Sequence, residues 1–112
     1  IIMEKYIQTF ADYKSAIDPT VVYPRETKIA AMQYLALGLN GEAGEVAEQI
    51  KKAMRNDGGV LSPERVEALK KELGDVLWYL TRLADELDAN LAEIANQNVE
   101  KLLARKASDN LR

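Results

Sequence analysis

Two short stretches of this chain, Glu42-Ala43-Gly44-Glu45-Val46 and Glu72-Leu73-Gly74-Asp75-Val76, repeat one order: acid, small or apolar residue, glycine, acid, valine. On a helix, positions three apart lie side by side, so each stretch sets two carboxylates on one face. Four carboxylates gathered in a partly dry site repel one another, and some of them must take up protons. A divalent cation removes that conflict. An all-oxygen donor set suits a hard ion such as magnesium, manganese or calcium, and magnesium keeps several waters that a phosphate can replace.

The flanking residues give each acid pair a fixed phase. With Glu42 at 0° and about 100° per residue, Met32, Leu35, Leu39, Val46 and Ile50 fill an arc of about 20° to 80°. Glu45 and Gln49 fall just outside it. The second stretch repeats the pattern: Leu69, Val76, Leu80, Leu83 and Leu87 fill the arc beside Glu72, with Asp75 and Tyr79 at its rim. Two helices burying those arcs against each other bring both acid pairs to one edge of a common core. The competing reading is a solvated face, because single acid pairs at this spacing are common on charged helices. The glycines have a plain alternative as well, which is to let helices approach closely. Glu48, Glu64, Glu67, Glu86 and Asp88 read as surface charges.

Composition narrows the chemistry further. The 112 residues contain no histidine and no cysteine, which removes thiol nucleophiles, disulfides, zinc sites of the usual kind and any imidazole base. A net charge of −3 argues against a protein that coats nucleic acid. No apolar run approaches the roughly 20 residues of a membrane span. No signal-peptide pattern opens the chain, and a cytoplasmic location is the default expectation.

The elements that must position the acids read as four helices in one all-α domain, an antiparallel bundle spanning residues 1–112. The first is expected from about Glu4 to Ala16, with Tyr6, Ile7, Phe10 and either Tyr13 or Ile17 at helical spacing. Asp18-Pro19 and Tyr23-Pro24 punctuate the loop after it. The second starts near Pro24 and runs to about Arg55, with Gly38-Leu39-Asn40-Gly41 as its weak point. Asn56-Asp57-Gly58-Gly59 forms a turn. Ser62 caps a third helix that begins with Pro63 and ends near Leu87. Asn90, with Glu93 three residues on, opens a fourth that ends near Arg105. No period-two strand pattern competes.

The fourth helix adds cations beside its apolar arc of Leu91, Ala95, Val99, Leu102 and Leu103. Asn98, Lys101 and Arg105 share one rim, where they suit either phosphates or the helix dipole. Lys52 points to the acid side of the second helix, as a phosphate contact or as a partner for Glu48. Tyr79 shares the acid face and suits stacking on a base, whereas Trp78 is turned away, toward a subunit interface.

From Leu35 to Arg105 the chain resembles the MazG-like all-α nucleoside triphosphate pyrophosphohydrolases. The match lies in Gly41-Glu42-Ala43-Gly44-Glu45-Val46-Ala47-Glu48, in Lys71-Glu72-Leu73-Gly74-Asp75-Val76-Leu77-Trp78-Tyr79-Leu80, and in Asn98 with Lys101-Leu102-Leu103-Ala104-Arg105. It implies that Glu42, Glu45, Glu72 and Asp75 bind magnesium, with manganese as a substitute, and that Lys101 and Arg105 bind phosphate. It also implies that Tyr79 lies near the base. Some relatives place a glutamate just before the first motif position, where this chain has Gly41. Glu42 and Glu45 both stand as candidates for activating water. The implied reaction is hydrolysis of a nucleoside triphosphate to monophosphate and pyrophosphate, as house-cleaning of unwanted nucleotides by a homodimer or a dimer of dimers. The alternative is a non-enzymatic helical dimerisation module with an acidic interaction patch. A di-iron bundle oxidase needs histidine ligands that the chain lacks.

Overall fold

The computed structural model describes residues 7–109 and is all-helical, with no strand among them. Helix α1 spans Phe10–Ala16, and a single 3-10 turn follows at Asp18–Thr20. Helices α2 (Lys28–Asn56), α3 (Pro63–Glu86) and α4 (Leu91–Ala107) complete the chain. Each α-helix opens on a side chain that accepts a backbone N–H: Thr9 from Asp12, Thr27 from Ala30, Ser62 from Arg65 and Asn90 from Glu93. Such caps satisfy donors that the first turn leaves unpaired.

Two expected helix starts move. Over the described residues α1 begins at Phe10, because Thr9 is extended (φ −132°, ψ 159°) and caps the helix; Glu4, Lys5 and Tyr6 lie outside the described residues. Helix α2 begins at Lys28 and not at Pro24, since extended Thr27 provides the cap and Tyr23 is drawn into the core. The weak point at Gly38–Gly41 does not break: α2 runs through it as one 29-residue helix. Packing along α3 outweighs the cost of about 1 kcal/mol per glycine. At the α2–α3 turn, Gly58 (φ 64°) and Gly59 (φ 80°) occupy the left-handed region that other residues avoid.

The α2–α3 hairpin is the structural unit. Leu35 is fully buried between its helices, with Ala31 and Tyr23 beside it and Val21, Trp78, Tyr79 and Leu83 packed around them. Arg82 is buried too, and its charge is answered. Its Nε donates to the Tyr23 hydroxyl at 3.1 Å and its Nη2 to Asp85 at 3.0 Å. The Tyr23 hydroxyl donates to Glu86 at 2.6 Å, and Arg25 Nε reaches the same Oε2 at 2.8 Å. Lys28 donates to the Glu86 carbonyl at 2.7 Å, which satisfies an end of α3. The segment from Ile17 to Thr27 is thereby strapped across one end of the hairpin. At the other end Arg65 ties the turn by donating to Asp57 (2.8 and 3.2 Å) and to Gln49 (3.1 Å).

The hydrogen bond from Tyr23, assisted by Arg25 and Arg82, holds the Glu86 carboxyl below its ordinary range. A depressed folded-state pKa gives stability that is complete above the unfolded pKa and disappears as pH falls through the folded one. Urea unfolding is therefore expected to show stability falling more steeply between about pH 5 and pH 3 in the wild type than in Glu86→Gln. At neutral pH, Tyr23→Phe, which takes a hydrogen bond from both Arg82 and Glu86, is expected to cost about 1–3 kcal/mol in the same assay.

Candidate functional site

Midway along the hairpin, α2 and α3 turn their acid stretches toward each other. Glu42, Glu72 and Asp75 each offer a carboxylate oxygen, and the three oxygens lie within 4.8 Å of one another. Glu42 and Glu72 are half-buried and Asp75 is exposed. Burial pushes the Glu42 carboxyl above its ordinary range, and the Asp75 charge, a hydrogen bond that protonated Glu42 donates to Asp75, and the charges of Glu72 and Glu45 push it further. Three negative groups at this spacing, one of them partly desolvated, are the repulsive arrangement that a divalent ion relieves. None of the three takes part in an ion pair with a lysine or arginine among the described residues. The donor set therefore fits a hard cation, with Glu42, Glu72 and Asp75 as the residues that would hold it.

Glu45 is exposed and stands outside this trio, near enough for its charge to act on Glu42. The structure thus gathers three of the four acids that the sequence pattern pairs.

Beside the trio opens a cleft of about 340 Å³ lined by Glu42, Asp75, Trp78 and Tyr79. Tyr79 lies against Gly38, one helical turn before Glu42, where a Cβ would collide with the Tyr79 ring. Its hydroxyl is raised by burial first and then by the adjacent Tyr34 hydroxyl, with smaller contributions from Glu42 and Asp75. Trp78 is not turned away from the acids, as its helical phase suggests, but shares this cleft. The physical reason is the strap. Trp78 Nε1 donates to Thr20 Oγ1 at 2.8 Å, and its ring lies nearly perpendicular to those of Tyr23 and Tyr79 at centroid distances of 5.9 and 4.9 Å. Tyr23 in turn stacks on Tyr34 at 5.5 Å. On α1, burial and then the Asp75 charge push up the Tyr13 hydroxyl, so the first helix borders the acids.

The remaining sequence candidates lie apart from the cleft. Asn98, Lys101 and Arg105 are exposed on α4, which packs only lightly on α3. Lys52 is half-buried on α2, and Glu48 pairs with Lys51 at 3.0 Å. Sequence reasoning passed over Gly38, Thr20 and Tyr13. Only Gly38 left a signal: a residue without a side chain, four positions before Glu42, on the face that packs against α3.

Because the Gly38 seat is filled by an aromatic ring, Gly38→Ala is expected to displace Tyr79 at a cost of about 1–3 kcal/mol. Near-UV circular dichroism should change while the far-UV helical spectrum persists.

The family model of the MazG nucleotide pyrophosphohydrolase domain matches residues 30–108, which include the acid trio, Glu45, the aromatic wall and all of α4. A Mycobacterium phage L5 protein described as "Gene 37 protein" is 40% identical over 97 residues, covering 84% of this chain and 85% of its own length. No solved structure gives a significant match. An all-helical fold, an i, i+3 acid pattern on two antiparallel helices and a match over most of the chain agree: this protein belongs to the MazG nucleotide pyrophosphohydrolase domain family.

Proposed function

We propose that this chain is a magnesium-dependent nucleoside triphosphate pyrophosphohydrolase that converts a (d)NTP and water to the (d)NMP and pyrophosphate. The observation that carries this reading is the convergence of Glu42, Glu72 and Asp75 oxygens within 4.8 Å beside an aromatic-walled cleft. Magnesium held there, or manganese in its place, supplies charge neutralisation and polarisation of phosphate oxygens. Glu45, outside the trio, is the carboxylate left to orient the water and accept its proton, with Glu42 as the alternative. The water oxygen bonds to the α-phosphorus, the bond from that phosphorus to the bridging oxygen breaks, and pyrophosphate departs. Lys101, Arg105 and Asn98 are assigned to the phosphates, where cations steady the charge that develops. Lys52 is a further phosphate contact. The role is removal of unwanted nucleotides in the cytoplasm.

We assign the working form as a homodimer or a dimer of dimers. Val66, Leu73 and Leu80 on α3, with Leu87 at its C-cap, recur every seven residues and are 38 to 58% exposed. Such a repeat is the seam of packed helices. Ile29 and Ile50 on α2 are exposed as well, as are Val99 and Leu103 on α4. Exposed apolar residues on three helices suit association surfaces. The non-enzymatic dimerisation module accounts for these faces and, through its acidic interaction patch, for exposed acids, but not for the convergence of three acids beside an aromatic-walled cleft.

The test is a panel of ribo- and deoxynucleoside triphosphates assayed for released pyrophosphate with magnesium and with EDTA. Turnover that requires the metal is expected, and its absence for every common nucleotide would leave the dimerisation module. Asp75→Asn should abolish turnover with the helical spectrum intact, whereas Glu45→Gln should lower kcat by about 10²–10⁴-fold, the range for loss of a general base. Without metal, Asp75→Asn should melt higher than the wild type, because it relieves repulsion on Glu42, and magnesium should no longer raise its Tm.

A further inference from the structure

We propose that Trp78 is the surface on which the nucleobase stacks, and that the chain grips its substrate's base by ring area and not by reading the base edge. The inference rests on the pyrophosphohydrolase reading and adds the residue and the mode of base recognition. Of the two aromatic residues in the cleft, Tyr79 has its ring committed to Gly38, where no Cβ would fit beneath it, and its hydroxyl set beside that of Tyr34. Trp78 is half-buried and lines the same cleft as Glu42 and Asp75. Its orientation is fixed at three points: the Nε1 hydrogen bond to Thr20 at 2.8 Å, and T-shaped contacts with the rings of Tyr23 and Tyr79. A large ring held rigidly beside an anionic, cation-suited pocket can stack on a flat ring with little further loss of side-chain freedom.

The polar groups of the cleft are already engaged. The indole N–H is given to Thr20 and the Tyr79 hydroxyl faces Tyr34. The carboxylates of Glu42 and Asp75 belong to the acid trio. Among the described residues, the four side chains that line the cleft are thus engaged elsewhere, so discrimination among bases follows stacking area. Purines should bind a few-fold more tightly than pyrimidines, with little distinction within either class.

Trp78 is the chain's one tryptophan, so its fluorescence reports directly on stacking. The full chain with magnesium would be titrated with α,β-methylene analogues of dATP, dGTP, dCTP and dTTP, and with inorganic tripolyphosphate, following fluorescence and binding heat together. The expected result is quenching by every nucleotide analogue and none by tripolyphosphate, although all bind. Trp78→Leu should raise the analogues' Kd roughly 10- to 100-fold, the range for loss of one base–aromatic stack, with tripolyphosphate affinity unchanged. Trp78→Phe should fall between, and far-UV spectra would verify that both variants fold. Analogue binding without quenching, equal quenching by tripolyphosphate, or equal losses for both ligands in Trp78→Leu would overturn the proposal while leaving the hydrolase reading in place. Absence of both nucleotide binding and nucleotide turnover would remove the two together.

Discussion

The repulsion among Glu42, Glu72 and Asp75 is the constraint around which the rest of this molecule is built. Carboxylates left to themselves turn toward water and apart. Here the α2–α3 packing around Leu35 and Ala31 holds the helices that carry them side by side, and the strain registers as an elevated Glu42 carboxyl. The hydrophobic energy of the hairpin offsets an electrostatic cost that the chain alone does not relieve. A site arranged in this way is ready for a cation before one arrives, which is the physical meaning of preorganisation.

The strap from Ile17 to Thr27 performs the complementary task. It makes no carboxylate site of its own, yet it decides what stands next to one. Thr20 holds the indole of Trp78, Tyr23 packs on Trp78 and Tyr34, and the Arg82–Tyr23–Glu86 network anchors the strap to the end of α3. Burying Arg82 is costly, and the cost is met by two acidic partners and a hydroxyl in good geometry. A network of that kind fixes one arrangement of the aromatic side chains instead of several.

Exposed Leu73 and Leu80 share helix α3 with Glu72 and Asp75. Helix α4, with Asn98, Lys101 and Arg105 exposed on it, leans only lightly on α3. The groups best suited to binding phosphate thus sit on the element whose position one copy of the chain constrains least.

The helices and the acid pairs were legible in the sequence because both follow from local rules. A period of 3.6 places acids three apart on one face, and Ser62 and Asn90 announce their helices through caps that involve only near neighbours. The absence of histidine and cysteine restricted the metal to hard oxygen donors without any coordinates. What tertiary structure decided is everything that depends on residues distant in the chain. It joined Glu42 to Glu72 and Asp75 but left Glu45 outside, because helical phase fixes a direction and only the approach of two helices fixes which oxygens meet. It carried α2 unbroken through Gly38, since a neighbouring ring fills that gap. It drew Tyr23 into the core, which moved the start of α2 to Lys28, and brought Trp78 to the cleft through a hydroxyl 58 positions away. Periodicity has no access to a contact of that separation; only the folded chain does.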